Sequence, residues 1–368
     1  MTLRKIQKSE FTPISLAEKF CETMMATFTP QTLHPTGGWT YHQGIFLLGM
    51  EKIFLKTGKQ KYADYIKAYV DNNVDENGHI DCRQSFDDAM AGVLLYRIYA
   101  ETGEEKYKKA LDNFISWIPG WHKTPSGGFW HKLIRPNQMW LDGLFMAQPL
   151  CTRYARTFGG RTDLYDMAYT QFSLMRKYTL DEKTHLWHHA YDESREIDWC
   201  DKVTGKSPHF WGRAMGWVGA ALLDVLEYMP EDYEHRQFFI DTLVDYVEAV
   251  VRVQDEETGL WFQVLDRGDD PNNWIETSCS CLFMYTLAKG MRMGLLDAKY
   301  VENLQKAYDG LFRQLTTDDE GKIYINDICI GTGVGDYQFY LNRPRVANDL
   351  HGGGAFLLAL SEASAYAK

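Results

Sequence analysis

The chain echoes itself. Thr57-Gly58-Lys59-Gln60-Lys61-Tyr62 returns 45 residues later as Thr102-Gly103-Glu104-Glu105-Lys106-Tyr107. A looser copy runs from Thr157-Phe158-Gly159-Gly160-Arg161 to Tyr165, and still looser ones lead from Pro230 to Tyr233 and from Gly294 to Tyr300. In each, an apolar helical pattern stops at a short turn, usually at a glycine that can close a helix in the left-handed conformation. An amphipathic pattern then starts around a tyrosine. A two-helix unit repeated in this way buries its apolar face only against its neighbours, so a stacked helical architecture is expected.

First helices of the units are expected to begin near Ser15, Gln60, Glu104, Asp163, Glu231 and Asp297, and second helices near Tyr41, Asp87, Asp142, Trp211, Trp274 and Gly352. Ser15-x-x-Glu18, after Pro13, reads as a capping box for the first of them, and Leu16, Phe20 and Met24 then recur on one face. The first helices carry a single apolar stripe, as in Glu104 to Trp117 with Tyr107, Leu111, Phe114 and Ile115. The second helices are apolar nearly all round and belong inside. Six such hairpins can close into a ring. The expected fold is all-α, an (α/α)6 barrel of six helical hairpins. No low-complexity linker interrupts the chain, so residues 1–368 are read as a single domain. Short extended pieces are expected at 127–132, 186–191, 259–263 and 322–325, each between an outer helix and the next inner one.

Several classes of function are disfavoured. A net charge of -11 argues against nucleic acid and anionic membrane surfaces as partners. No apolar run approaches membrane-spanning length, and the polar stretch Met1 to Glu10 lacks the apolar core of a secretory signal. The seven cysteines show no CxxC spacing, and Cys279 and Cys281 sit in an apolar context. Reduced thiols and a cytoplasmic location are expected, with the periplasm as the alternative. HExxH, EF-hand, P-loop and GxSxG patterns are all missing, so no metal and no cofactor is expected. Gly331 to Asp336 imitates a GxGxxG fingerprint without its strand–turn–helix context and reads as a flexible loop.

The unusual residues cluster where the chain enters the inner helices. These are Trp39-Thr40-Tyr41-His42 after Gly37-Gly38, Phe86-Asp87-Asp88, His131-Lys132, Trp140-Leu141-Asp142, His188-His189, His209-Phe210-Trp211-Gly212-Arg213, Trp274-Ile275-Glu276-Thr277 and His351-Gly352-Gly353-Gly354. In a closed ring all these entries share one end, and loops on a rigid scaffold are where sites are built. Asp142 stands between an indole and a glycine at the start of an apolar helix, a setting that leaves room for a flat ligand. It reads either as an acid/base catalyst acting on a sugar or as a carboxylate that complements a helix dipole. Asp87 and Asp88 read either as site carboxylates or as caps of the helix that follows. Arg213, inside an apolar helix between Trp211 and Trp217, needs an anionic partner from the protein or from a substrate. Aromatics at 14% of the chain would suit the flat faces of sugar rings, or the packing of a core.

Met139-Trp140-Leu141-Asp142-Gly143-Leu144-Phe145-Met146, Phe210-Trp211-Gly212-Arg213-Ala214-Met215-Gly216-Trp217 and Glu276-Thr277-Ser278 together resemble the unsaturated rhamnogalacturonyl hydrolases, glycoside hydrolase family 105. The resemblance runs from Trp39 to Glu362 and implies the same barrel. It also implies a substrate, a disaccharide or short oligosaccharide ending in a 4,5-unsaturated uronic acid. Its C4=C5 bond is a vinyl ether. An acid protonates C4, water adds at C5, and the hemiketal opens and expels the neighbouring sugar.

By this resemblance Asp142 is the acid/base residue and Asp87 the second aspartate. Arg213, His189 and Lys132 hold the sugar and its carboxylate, and Trp211, Trp217 and Tyr41 contact its ring. His131 and Trp140 belong to the same binding set. A donor of this kind calls for a raised pKa, which aromatic desolvation and a nearby carboxylate would supply. The chain departs from the family at Asp88 (commonly Asn), Ala91 (Pro), Gly212 (Ala) and Met215 (Asn). Other readings are an unsaturated glucuronyl hydrolase, an inverting glycosidase using Asp87 and Asp142, an epimerase using His189 and His351, and a non-catalytic carbohydrate-binding toroid. The expected assembly is a monomer or a small homo-oligomer.

Overall fold

Helices that are apolar all round have one stable place in a water-soluble protein, the inside of a second helical layer. A computed structural model of the chain, which describes residues 3–33, 38–82 and 85–366, shows this arrangement. Gly37, in the loop singled out above, and Met1 lie outside the described residues.

The outer helices are α1 (Pro13–Thr27), α3 (Gln60–Asn73), α6 (Glu105–Trp117), α8 (Asp163–Thr179), α10 (Arg236–Arg252) and α12 (Val301–Leu311). The inner ones are α2 (Tyr41–Thr57), α4 (Phe86–Met90) with α5 (Leu95–Thr102), α7 (Asp142–Phe158), α9 (Gly212–Tyr228), α11 (Thr277–Arg292) and α14 (Leu350–Ala363). A 3-10 turn, Ala91–Leu94, joins α4 to α5. A short helix, α13 (Tyr337–Leu341), precedes the last inner helix. Packing runs α2 to α4, α7, α9, α11, α14 and back to α2, which closes the ring of an (α/α)6 barrel.

Glycines let the ring close. A Cβ on Gly354 of α14 would lie 2.6 Å from the Ile45 carbonyl carbon of α2, and one on Gly49 of α2 would lie 2.6 Å from Leu357 Cβ of α14. The Gly352-Gly353-Gly354 run is therefore helix packing, placed against Ile328, Phe20 and Ile45, and not part of a loop.

Helix ends differ from expectation in places, each for a local reason. Thr12 caps α1, with Ser15 as the reciprocal member of the box, so the box lies one turn earlier than Ser15-x-x-Glu18. Ser85 caps α4, and Asp87 and Asp88 lie in its first turn rather than at the cap. Asp297 caps a 3-10 turn, Ala298–Tyr300, which delays α12 to Val301. The expected extended piece around 186–191 contributes β3 (Ala190–Asp192), and that around 322–325 contributes β5 (Ile323–Ile325). Pairing partners are β2 (Gln138–Trp140) with β3, and β1 (Arg4–Lys5) and β4 (Leu315–Thr317) with β5 in the order β1-β4-β5. Strands β6 (Ile328–Cys329) and β7 (Arg345–Val346) form a further ribbon. No helix among the described residues is long and apolar enough to cross a membrane.

Candidate active site

The β2–β3 ribbon builds the centre of the site. Trp140 pairs with Ala190 across it, and the Leu141 amide donates to the His189 carbonyl at 3.1 Å. This brings the first residue of α7, Asp142, beside His189: Asp142 Oδ2 lies 3.2 Å from His189 Nε2. The two atoms touch without hydrogen-bond alignment, and neither has a better partner in the protein. His189 is fully buried, and its Nδ1 lies 2.8 Å from the Tyr340 hydroxyl of α13.

Burial alone would raise the Asp142 carboxyl. The contact with His189 and the electrostatic pull of the His189 and His131 rings outweigh it and hold the group down at about 2. The expectation of a raised pKa is thus corrected: in the substrate-free site Asp142 is an anion, because its close neighbours are imidazoles. A Cβ added at Gly143 would sit in ordinary van der Waals contact with His131 Nδ1 at 3.9 Å and Phe86 at 4.0 Å, without a clash.

Aromatic groups wall this centre. His131 stacks on Trp140 with ring centroids 4.4 Å apart, and the Trp140 indole donates to Gln138 at 3.0 Å. Burial pushes His131 down to about 4 and keeps it neutral. Trp211 lies 4.7 Å from the His189 ring and donates to Gln263 at 3.0 Å. Of the adjacent histidines, His188 turns away and packs against Phe210.

The charged groups sort less simply than expected. Lys132 Nζ pairs with Asp87 Oδ2 at 2.8 Å. Arg213 is buried, stacked 4.6 Å from the Trp211 ring centre, and donates to the backbone carbonyls of Cys329 and Ile330. Its anionic partner is a protein carboxylate, Glu276, at 3.9 Å. Glu276 also caps α11, accepting from the Ser278 and Cys279 amides. Trp217 stacks on Phe145 of α7 at 4.9 Å and is buried between two inner helices.

A second cluster lies where α2 meets α14. The Tyr41 hydroxyl is 2.7 Å from His351 Nε2, and His351 Nδ1 contacts the Asp349 carboxylate. His42 stands edge-on to His351 with ring centroids 4.4 Å apart. Tyr41 shares an electrostatic environment with Asp87, Arg213 and Asp142, and burial drives its phenol well above the usual value. The Gly331 to Asp336 loop bridges the two clusters: a side chain at Gly331 would sit 3.8 Å from His351, and one at Gly333 would sit 3.9 Å from Trp140.

Sequence reasoning missed Tyr340, Gln263 and Asp349, which no motif flags. It placed His351 among the residues at the helix entries but gave it a chemical role only in the epimerase reading.

Comparison with known proteins shows the family and the fold. The model of Glycosyl Hydrolase Family 88 matches residues 16–367. A glycoside hydrolase from family 105 of C. acetobutylicum ATCC 824 superposes with a TM-score of 0.89 at 36% identity, covering 94% of this chain and 98% of that one. The unsaturated rhamnogalacturonyl hydrolase YesR of Bacillus subtilis is 28% identical over 274 residues, 72% of this chain and 73% of its own length. The unsaturated glucuronyl hydrolase of Bacillus sp. GL1 shares the fold, with a TM-score of 0.71 at 14% identity over 95% of each chain. The chain belongs to glycosyl hydrolase family 88 and, within that fold, stands with the glycoside hydrolases of family 105.

Proposed function

We propose that the protein hydrates the C4=C5 bond of a terminal 4,5-unsaturated galacturonic acid and so releases it from rhamnose. The observation that carries the reading is Asp142: a half-buried aspartate whose inward oxygen, Oδ2, is shielded from solvent with no aligned partner, beside Gly143 and against His189. A protein with no reaction to perform gains nothing from leaving that oxygen unpaired.

In this reading the substrate's own carboxylate brings a second negative charge into the pocket. That charge raises Asp142 from about 2 toward protonation when the ligand is bound. Asp142 then gives its proton to C4, and positive charge develops at C5. His189, locked by Tyr340, holds the Asp142 carboxyl in place and steadies the anion left behind. Lys132, half-exposed and bridging to Asp87, is the mobile cation for the uronate. Arg213, with its donors turned to carbonyls, contributes a fixed positive charge.

An inverting glycosidase would need Asp87 free to activate water, whereas Asp87 is tied to Lys132. The rhamnose preference draws on the name of the Bacillus subtilis relative. A second reading, a rhamnoglycuronyl substrate, draws on a relative from Formosa agariphila named unsaturated 3S-rhamnoglycuronyl hydrolase, 30% identical over 219 residues. We further propose that the whole chain acts as one catalytic domain and works in the cytoplasm.

The test is a panel of purified lyase products. Free rhamnose should appear from unsaturated galacturonyl-rhamnose with a kcat/KM at least about tenfold above that on unsaturated glucuronyl disaccharides, a difference of about 1.4 kcal/mol. Equal or reversed preference overturns the galacturonyl assignment.

A further inference from the structure

We propose that Asp349, His351 and Tyr41 form a proton relay that accepts the proton of the water added at C5, so that acid and base are separate groups. The inference rests on the hydration reading above.

The direction of each hydrogen bond follows from the one before it. Asp349 caps α14 and accepts from the His351 amide at 2.9 Å. That amide and the imidazole hold its carboxyl well below the usual range, although burial works against them, so it has no proton to give. His351 Nδ1, in contact with the same oxygen, must therefore carry the imidazole proton. Burial lowers His351, which leaves the ring neutral and Nε2 bare. The Tyr41 O–H, 2.7 Å away, then donates to Nε2. With its proton committed, Tyr41 Oη can only accept.

An acceptor-only phenol oxygen backed by an imidazole and a carboxylate is a general base in waiting. It has the logic of a hydroxyl–histidine–aspartate triad, with water in place of the acyl group. The groups around His351 are Asp349, Tyr41, His42, Arg213 and Glu276. His42 is pushed down to about 3 by burial and by His351, so it does not compete for a proton at neutral pH. Asp87 on this side is tied to Lys132, and Asp142 serves as the acid.

The step balances as follows. Asp142 transfers its proton to C4, and the C4=C5 electron pair forms the C4–H bond. The water oxygen bonds to C5 while one of its protons passes to Tyr41 Oη and the phenolic proton passes to His351 Nε2. The products are the C5 hemiketal, an Asp142 carboxylate and a His351 imidazolium paired with Asp349. Proton exchange with solvent restores both groups.

The test follows loss of the C4=C5 ultraviolet absorbance in the wild type, Tyr41→Phe and Asp349→Asn, together with the nitrogen NMR spectrum of His351. Tyr41→Phe should lower kcat by about 100-fold or more with little change in KM. Its acid limb in kcat should also disappear. Asp349→Asn should move that limb to lower pH, because the imidazolium loses its counter-charge. The wild-type spectrum should show the proton on Nδ1. A Tyr41→Phe enzyme with unchanged kcat, an effect confined to KM, or an Nε2–H tautomer overturns the relay while the hydration reading stands. A wild type that leaves the chromophore intact overturns both.

Discussion

His189 Nε2 lies 3.2 Å from Asp142 Oδ2, and this contact holds the carboxylate in its anionic form. Without it, desolvation would dominate. Replacing His189 with alanine should therefore raise the Asp142 titration midpoint from about 2 to above the ordinary aspartate value. Carbon NMR of the labelled carboxyl measures this directly, and a midpoint that stays near 2 would show that the backbone, not His189, holds the anion.

Acid should destabilise the fold in two stages. His131 is buried, His42 and His188 are half-buried, and the partial loss of water holds His42 near 3 and His131 and His188 near 4, below the value of about 6.5 for an unfolded histidine. The unfolded chain thus binds more protons as pH falls, so their contribution is complete above about pH 6.5 and is lost toward pH 4 and below. Asp142, also depressed, contributes fully above about pH 4, and that share is lost as pH falls through about 2. Calorimetry should show Tm dropping between pH 7 and 4, with proton uptake on unfolding, and His131→Phe should flatten that slope.

At the far ends of the inner helices, Lys289 is buried and pairs with Asp224 at 2.6 Å and Glu227 at 2.8 Å. Lys289→Met leaves Asp224 without its cation and Glu227 with only Arg292 at 3.8 Å, and should cost about 3–5 kcal/mol of stability. Denaturant titration checks the loss. Turnover per folded molecule should be unchanged, since the site lies at the opposite end of the barrel.

Ring closure depends on the glycine contact between α14 and α2. Gly354→Ala should cost about 1–3 kcal/mol, because the new methyl group meets the Ile45 backbone at 2.6 Å. Thermal melts of Gly354→Ala beside Gly58→Ala separate the effects: Gly58 has open space but φ +66°, so its cost is backbone strain alone.

Much of this architecture is legible in the repeat. Each unit must bury an apolar helix, and the turns at Gly58 and Gly103 mark where α2 and α5 end. Starts slip where a capped turn precedes the helix, as at Asp297 before α12. The position of Asp142 was readable too, since an aspartate opening an apolar helix invites attention. Its charge was not, because His189 arrives through a three-residue ribbon too short to show a period. The relay was hidden for a related reason: Tyr41 and His351 are 310 positions apart, and only closure of the ring brings them together. Trp217 read as a ring contact, but it packs on Phe145 because position 217 of α9 faces α7.

The central claim is that Asp142 protonates the C4=C5 bond. Its most direct test is single-turnover absorbance with unsaturated galacturonyl-rhamnose and excess enzyme. Wild type should bleach the chromophore completely, while Asp142→Asn should bind the disaccharide with similar affinity and bleach it at least about 1,000-fold more slowly. Bleaching by Asp142→Asn within about tenfold of the wild-type rate would contradict the account.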